Sequence, residues 1–177
     1  MTKIDCIIQA RMGSTRLPGK VMMKVDKTNT ILSHVINQLK NSKKINKIII
    51  ATTNLQEDDI IVNHAKILKT DLFRGNAVDV LDRYYQCAKE YSISIIVRIP
   101  SDKPLIDPEI VDKVIKYYFE NEADAIKAKN RADKKIGIHQ QNNEICEIPN
   151  QQVTHTQIKS SLVTILYLVS TIKNNVF

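Results

Sequence analysis

The chain alternates four times between a short apolar segment and a longer segment with helical periodicity. The apolar segments are residues 3–9, 47–52, 71–73 and 94–99, each short enough to be one buried strand. Apolar residues recur at helical spacing over 29–42, 57–68, 78–91 and 108–119. Because strand and helix alternate throughout, the pattern predicts an α/β fold in which helices cover a mostly parallel sheet.

The same periodicity predicts how each helix begins and which side it buries. Thr28 or Asn29 is expected to cap the first helix, and Asp107 with Pro108 marks the start of the last one. The other predicted core positions are Ile60, Ile61, Ala65 and Leu68 in the second helix, Val78, Leu81, Tyr85 and Ala88 in the third, and Ile110, Val111, Val114, Ile115, Tyr118 and Phe119 in the fourth.

Ligands of parallel sheets bind outside the carboxyl ends of the strands, which here precede the loops 10–20, 52–54, 74–79 and 100–107. Arg11, Arg16 and Arg74 lie in these loops, and Arg98 lies near the end of its strand. This clustering at one edge of the sheet predicts an anionic ligand there.

The loop after the first strand, Gln9–Lys20 (QARMGSTRLPGK), has the composition of an anion-binding loop. Gly13 and Gly19 let backbone N–H groups approach a ligand, while Arg11, Arg16 and Lys20 supply positive charge. It is not a Walker loop, because Gly13 and Gly19 are one residue too far apart and valine follows Lys20. An ordinary basic surface turn is the alternative interpretation.

Charge and composition limit the class of partner. The net charge is +7, from 26 basic and 19 acidic residues, yet the lysines are scattered. Aromatic residues, which RNA-binding sheets use for stacking, make up 5% of the chain. A basic RNA-binding module, an alternative that predicts steeply salt-dependent RNA affinity, is therefore disfavoured, and no nucleic-acid partner is expected.

The sequence indicates a cytoplasmic location. No apolar run approaches the roughly 18 residues of a membrane span, and Lys3 and Asp5 interrupt the short apolar N-terminus, against a cleavable signal. Cys6, Cys87 and Cys146 are odd in number and lack metal-ligand spacing, so neither a disulfide framework nor a zinc site is expected.

Four segments in this order resemble the cytidylyltransferase family, in its branch of spore coat polysaccharide biosynthesis protein F type, related to acylneuraminate cytidylyltransferases. They are IIQARMGSTRLPGKV, IIIATT, FRGNAVDVLDRYYQCAK and IIVRIPSDKPLIDPEIVDKVI, within residues 3–120. The resemblance implies a Rossmann-like nucleotidyltransferase fold. It also implies magnesium-dependent transfer of CMP from CTP to a sugar or sugar acid for surface polysaccharide, with release of pyrophosphate.

The resemblance also implies roles for individual residues. Arg11, Arg16 and Lys20 are expected to be catalytic, neutralising charge on the triphosphate, and Asp102 is expected to hold Mg²⁺. The expected nucleotide-binding residues are Gln9, Ala10, Gly13, Ser14, Thr52, Thr53, Arg74, Asn76 and Asp79. A turn residue at Asp102 and helix caps at Asn76 and Asp79 are the structural alternatives.

Two departures from the family pattern stand out. At 100–103 the chain reads PSDK, so Ser101 replaces the family's usual glycine, and Lys103 adds a charge that competes with Mg²⁺ or grips phosphate. After residue 128 the family pattern is not recognisable, which predicts a nucleotidyltransferase domain at 1–128 and a divergent tail at 129–177. A non-catalytic nucleotide- or sugar-binding remnant that acts through a partner protein is therefore the alternative function.

The tail carries one further feature, an apolar run at 162–172. It fits a helix docked on the sheet or a contact with a second chain, so a homodimer is an open expectation.

Overall fold

The computed structural model describes residues 4–120 and three short strands further along the chain. The strands are β1 (Ile4–Gln9), β2 (Lys47–Thr53), β3 (Asp71–Gly75), β4 (Ile95–Pro100), β5 (Lys127–Ala128), β6 (Ile138–His139) and β7 (Leu168–Ser170). The helices are α1 (Ile31–Leu39), α2 (Asp59–Ile67), α3 (Val80–Glu90) and α4 (Pro108–Glu120), with 3₁₀ turns at Lys20–Met22 and Gln56–Asp58.

The main sheet has the strand order β3-β2-β1-β4-β7. Strands β1 to β4 are parallel to their neighbours, and β7 pairs antiparallel with β4. The predicted α/β fold with a mostly parallel sheet is therefore confirmed. Strand β7 lies within the apolar run 162–172, where a helix was one expectation, and its pairing with β4 shows an extended segment at 168–170.

Helices cover the two faces of the sheet unequally. Helices α1, α2 and α4 bury apolar side chains on one face, which we call the three-helix face; Leu32, Ile61 and Ile115 pack there with Ile8 and Ile50 of the strands. On the opposite face, the α3 face, the smaller buried cluster comprises Ile7, Ile49, Ala51, Phe73, Tyr84, Cys87, Ala88 and Ile93. The change of face arises because β1, β2 and β3 run outward in order, whereas β4 returns to the other side of β1.

The predicted cap of α1 is wrong by one or two residues. Thr30 is the N-cap: its side chain accepts a hydrogen bond from Ser33 N, and Ser33 Oγ accepts one from Thr30 N. Thr28 and Asn29 instead donate their backbone N–H groups to Asp26, at 2.7 Å and 2.6 Å. Because their N–H groups are bonded to Asp26 in a local turn, the helix begins only at Ile31. The predicted start of α4 is confirmed, since Asp107 accepts from Glu109 N at 2.9 Å.

The predicted core face of α3 is largely wrong. Val78 precedes the helix and is 87% exposed, and Leu81 and Tyr85 are 53% and 48% exposed. The helix buries Arg83, Tyr84, Cys87 and Ala88 instead, so only Ala88 was assigned correctly. Because α3 buries Arg83 and Tyr84, its buried face differs from the apolar stripe that periodicity selects.

Smaller differences affect the other helices. Ile60 of α2 and Phe119 of α4 are exposed, although the sequence predicted them in the core. Among the described helices, none combines the length and apolar character that crossing a membrane requires. The predicted division at residue 128 falls outside the described residues, apart from the short strands β5 to β7, and stays a prediction.

Candidate functional site

The carboxyl ends of β1 and β4 lie side by side, with Gln9 opposite Pro100. Strand order reverses at this pair, because β2 and β3 extend on one side of β1 and β4 lies on the other. Such a reversal leaves a crevice between the loops that follow the two strands. The loop 10–20 and the loop 101–107 therefore flank the position where this fold binds its ligands.

An ion pair joins these two loops. Lys20 Nζ donates to Asp102 Oδ2, across 82 residues of sequence, and both side chains are 32% exposed. Partial burial raises the pKa of Asp102, but the hydrogen bond and charge of Lys20 and the charge of Lys103 outweigh it, so the pKa lies below its ordinary value. Asp102 is thus held as a carboxylate beside the basic loop. The pairing brings together two residues that the sequence predicted for one site.

The loop 10–20 folds back on its own backbone. Met12 O accepts hydrogen bonds from Ser14 N at 2.7 Å and Gly19 N at 2.9 Å. Gly19 has a φ of 70°, a left-handed conformation that favours glycine. At Gly13 a Cβ would lie 2.8 Å from Glu57 Oε1, so a side chain there would displace Glu57. The loop is a defined turn that places Arg11 and Arg16 in solvent, where both are exposed.

A buried carboxylate that sequence reasoning missed supports this loop. Asp58 has no exposed surface and accepts from Met12 N at 2.6 Å and from Thr53 N at 3.2 Å. It also accepts from Thr53 Oγ1. Asp58 is not among the residues that the sequence predicted for the site. Asp58 instead ties the loop after β1 to the end of β2, which the sequence could not show because the partners are distant.

The other predicted nucleotide-binding residues at β1 and β2 are at the correct edge of the sheet, but most are covered. Ala10 is buried and donates its N–H to Ala51 O at 3.1 Å, whereas Gln9 is partly exposed. Thr52 and Thr53 are both buried, and the Thr53 hydroxyl donates a hydrogen bond to Asp58. A nucleotide role for these residues stays a prediction.

Arg74 is bonded to the protein through all three guanidinium nitrogens. Its Nε donates to Thr53 O at 2.9 Å, Nη1 to Asp59 Oδ1 at 2.6 Å and Nη2 to Leu55 O at 2.8 Å. These bonds fasten the end of β3 to the start of α2. Contact between Arg74 and the nucleotide stays a prediction. The three hydrogen bonds give Arg74 a structural role.

The turn between β3 and α3 contains Asn76 and Asp79. Asn76 Oδ1 accepts from Val78 N at 2.9 Å and Asp79 N at 3.0 Å, and Asp79 caps α3 by accepting from Asp82 N. Both predicted site residues are exposed on this turn, and both also serve as local caps. The structural alternative for them is therefore present, and their ligand roles stay predictions.

Two further arginines lie on the α3 face near this edge. The Arg98 guanidinium carbon lies 4.9 Å from the centroid of the Tyr84 ring, a cation–π contact. Arg83, which sequence reasoning did not select, has no exposed surface. Burial lowers the pKa of Arg83, as expected for a cation removed from water. The only signal in the sequence was an arginine in the first turns of a predicted helix, directly before Tyr84.

The described residues fit a metal ion shared with a ligand's phosphates. Mg²⁺ is commonly held by one or two carboxylates together with phosphate oxygens and water. Asp102 supplies one ionised, partly exposed carboxylate in the crevice. Within the described part of the chain, no group of three His, Cys, Asp or Glu residues could hold a metal by itself.

Solved structures with the same fold identify the class of protein. A cytidylyltransferase from Leptospira borgpetersenii serovar Hardjo-bovis matches with a TM-score of 0.68 at 39% identity, over 74% of this chain and 55% of that one. A CMP:2-keto-3-deoxy-manno-octonic acid synthetase complexed with CTP matches with a TM-score of 0.60 at 19% identity, over 72% and 52%. The second likeness concerns the fold alone. The fold is that of the Rossmann-like nucleotidyltransferases.

The family model described as cytidylyltransferase matches residues 6–163. The chain belongs to the cytidylyltransferase family, which confirms the resemblance of the four motifs. An uncharacterized protein of Methanocaldococcus jannaschii is 45% identical over 128 residues, 72% of this chain and 52% of that protein. The spore coat polysaccharide biosynthesis protein SpsF of Bacillus subtilis is 37% identical over 128 residues, 70% and 53%. This chain spans about half the length of the curated relatives it matches.

Proposed function

We propose that this chain is a magnesium-dependent cytidylyltransferase that transfers CMP from CTP to a sugar or sugar acid and releases pyrophosphate. The observation that carries the proposal is the contact between Lys20 and Asp102 at the reversal of strand order. A basic loop and an ionised carboxylate in contact are the two parts that a metal–triphosphate complex needs.

The basic residues of the loop 10–20 would bind the triphosphate. Arg11 and Arg16 are exposed beside the crevice and can turn towards a ligand without breaking any hydrogen bond that the structure shows. Lys20 would exchange its hydrogen bond to Asp102 for one to a phosphate oxygen. These charges would stabilise the negative charge that moves onto the leaving pyrophosphate as the reaction proceeds.

Asp102 would hold the magnesium ion. A bound ion supplies positive charge to the phosphate oxygens. Release of Asp102 from Lys20 would leave the carboxylate free to bind the ion. The reaction needs no nucleophile from the protein, because a hydroxyl of the acceptor attacks the α-phosphate of CTP.

The proposed acceptor is a sugar for surface polysaccharide. Support comes from the similarity to a relative named for spore coat polysaccharide biosynthesis. The proposed location is the cytoplasm, because the buried thiols of Cys6 and Cys87 are free, as suits a reducing compartment.

A non-catalytic nucleotide-binding protein is the second candidate. One observation favours it: Lys103 places a positive charge close to Asp102, where it would compete with the metal ion. This candidate predicts CTP binding without release of pyrophosphate from any acceptor.

Calorimetric titration with CTP, UTP, ATP and GTP, each with and without Mg²⁺, is the first test. We expect CTP to bind most tightly and Mg²⁺ to strengthen its binding. An assay of pyrophosphate release over a panel of sugars and sugar acids then separates the two candidates. If the protein binds none of the four nucleotides, both candidate functions are wrong.

Arg16→Ala tests the triphosphate assignment. Loss of a charge-assisted hydrogen bond predicts CTP binding weaker by about 1.5–3 kcal/mol. Lys116→Ala is the matched control, because Lys116 is an exposed cation on α4 that pairs with Glu120. Equal CTP affinities for wild type and Arg16→Ala would show that the loop does not bind the triphosphate.

Asp102→Asn tests the metal assignment. The substitution keeps the size of the side chain and removes its charge, so we expect CTP binding that no longer responds to Mg²⁺. Thermal unfolding without ligands checks that the variant folds. A Mg²⁺ response like that of wild type would place the metal on other residues.

A further inference from the structure

Arg83 is a buried cation whose hydrogen-bonding capacity is largely unused. The residue has no exposed surface, and Nη1 donates to Asn76 O. Nε and Nη2 are buried and have no hydrogen-bond partner within the described part of the chain. Arg83 also forms no salt bridge among the described residues. An ion buried in this state is costly, so its presence needs a reason.

The two unused nitrogens share one edge of the guanidinium. The Nε–H and one N–H of Nη2 point in parallel from that edge, and together they match the two oxygens of a carboxylate or phosphate. Nη1, which lies away from that edge, is the nitrogen that the turn holds through Asn76 O. The anchored side and the unused side of Arg83 are therefore distinct, as in a side chain oriented to bind an anion.

Gly75 makes room for this arginine. A Cβ at Gly75 would lie 2.7 Å from Phe73 Cε1 and 3.0 Å from Arg83 Cγ. Those distances are too short for an ordinary side chain, so the end of β3 accepts Arg83 beneath it only because residue 75 is glycine. The contact fixes Arg83 beneath the same edge of the sheet that carries the ligand crevice.

No carboxylate in the described part of the chain neutralises Arg83 by direct contact. Burial lowers the pKa of Arg83 most and the charge of Arg11 in the loop 10–20 lowers it further, whereas Tyr84, Asp58 and Asp79 raise it. However, Asp58 is already bonded to Met12 N and Thr53 N, and Asp79 caps α3. Neither carboxylate is in contact with the guanidinium, and Arg11 adds a second positive charge nearby.

We propose that Arg83 is an anion-binding residue of this site, whose Nε and Nη2 edge receives two oxygens of a phosphate or carboxylate group of a bound ligand. The proposal rests on the proposed function, because it takes the ligand to be the nucleotide or its acceptor. It explains why a cation is buried without a counterion: the counterion arrives with the ligand.

Arg83 is joined to the turn at 76–79, and a ligand reaches its Nε and Nη2 edge only if the residues that cover that edge move. Arg83 has no exposed surface, and its side chain is bonded to this turn through Asn76 O. Val78 N and Asp79 N donate to Asn76 Oδ1 within the turn, and Asp82 N of α3 donates to Asp79 Oδ1 at its end. Because Nη1 lies away from the Nε and Nη2 edge, uncovering that edge leaves the bond from Nη1 to Asn76 O in place.

Arg83→Met separates ligand binding from a structural role. Methionine removes the charge but fills similar space, and replacing a buried, unpaired ion by an apolar side chain is often neutral or stabilising. We therefore expect a melting temperature equal to or above that of wild type, with affinity for the anionic ligand about tenfold to hundredfold weaker. Arg83→Lys keeps the charge but lacks the parallel N–H pair, so we expect its affinity to be intermediate.

Arg74→Met is the matched control for stability. Arg74 also lies at this end of the sheet, but all three of its nitrogens are bonded to protein oxygens. We expect its melting temperature to fall, in contrast with that of Arg83→Met. A fall for Arg83→Met with unchanged ligand affinity would assign Arg83 a structural role and overturn the proposal.

The wild-type protein provides a test that does not depend on a variant folding. In isotope-labelled protein, the Nε–H resonance of Arg83 can be assigned by its loss in Arg83→Lys and followed during titration. CTP, cytidine, tripolyphosphate, and CTP with a 2-keto sugar acid are the ligands. A shift with CTP and tripolyphosphate but not cytidine identifies phosphate as the anion, and a shift only when the sugar acid is added identifies a carboxylate.

The outcomes keep the two proposals apart. If CTP binds and the Arg83 resonance stays in place with every ligand, this inference is wrong and the proposed function stands. If CTP does not bind but tripolyphosphate shifts the resonance, the anion site stands and the proposed function is wrong. A resonance that no ligand moves overturns the inference in either case.

Discussion

The three-helix face and the α3 face of the sheet follow different rules. On the three-helix face, apolar side chains from α1, α2 and α4 pack against apolar strand residues, as periodicity predicts. On the α3 face, Arg83 and Tyr84 are buried, whereas Leu81 and Tyr85 on the same helix are largely exposed. The first face is built for stability. The second combines a small core with charged groups close to the ligand crevice.

The comparison shows where apolar periodicity loses its value as a guide. A helix that only covers a sheet gains most by burying its apolar residues, so its pattern indicates its orientation. A helix that also carries polar groups to a site can bury an arginine and expose leucine. Departures from sequence rules are therefore expected near functional sites.

Leu32→Ala is expected to have the largest effect and to sharpen the difference between the faces. Leu32 of α1 has no exposed surface, and truncating a buried leucine costs about 2–5 kcal/mol of unfolding free energy. Leu81→Ala of α3 is the matched control, because the same change at a residue 53% exposed should alter stability by less than about 0.5 kcal/mol. Urea unfolding measures both. Equal losses would show that the exposed side of α3 is covered in the folded protein.

Asp58→Ala is expected to have the next largest effect. Asp58 lies at the carboxyl edge of the sheet, between the loop 10–20 and the end of β2. The substitution removes the acceptor of the partly buried Met12 N and of the buried Thr53 N, which we expect to cost about 2–4 kcal/mol. Because Met12 belongs to the loop 10–20, hydrogen exchange at that loop should also accelerate. Asp59→Ala is a suitable control, since Asp59 is half-exposed and pairs with Arg74. Unchanged exchange would mean that the loop keeps its shape without Asp58.

His64 is expected to have the smallest effect, and it tests a polar contact beside the apolar face. Burial lowers the pKa of His64 below its ordinary 6.5, and Nε2 lies 3.0 Å from Thr30 Oγ1. The unfolded chain therefore takes up a proton first as the pH falls. Stability from this residue is complete above pH 6.5 and is lost below it, until the folded protein is also protonated.

His64→Gln should remove that part of the pH dependence. Urea unfolding of both proteins at about pH 8 and about pH 5 isolates it, because other titrating groups are common to the two. A slope as steep in the variant as in wild type would show that His64 does not contribute.

The amino-acid sequence alone predicted the strands, their parallel arrangement and the edge of the sheet at which a ligand is expected. These features depend on local patterns: short apolar runs form buried strands, helical spacing separates them, and the loops after parallel strands meet at one edge. The basic loop 10–20 and the start of α4 at Pro108 followed from the same short-range information, whereas Asp102 was selected through the resemblance of its motif to the family.

Which of these residues touch depends on how distant segments of the chain pack together. Lys20 meets Asp102, and Asp58 joins Met12 to Thr53, because the sheet places together segments that are far apart in the chain. Tertiary packing also determined that Arg74 is bonded through every nitrogen and that Arg83 is buried with two unused. Two arginines look alike in a sequence, because a side chain's partners and its exposure to water arise only when distant segments fold together.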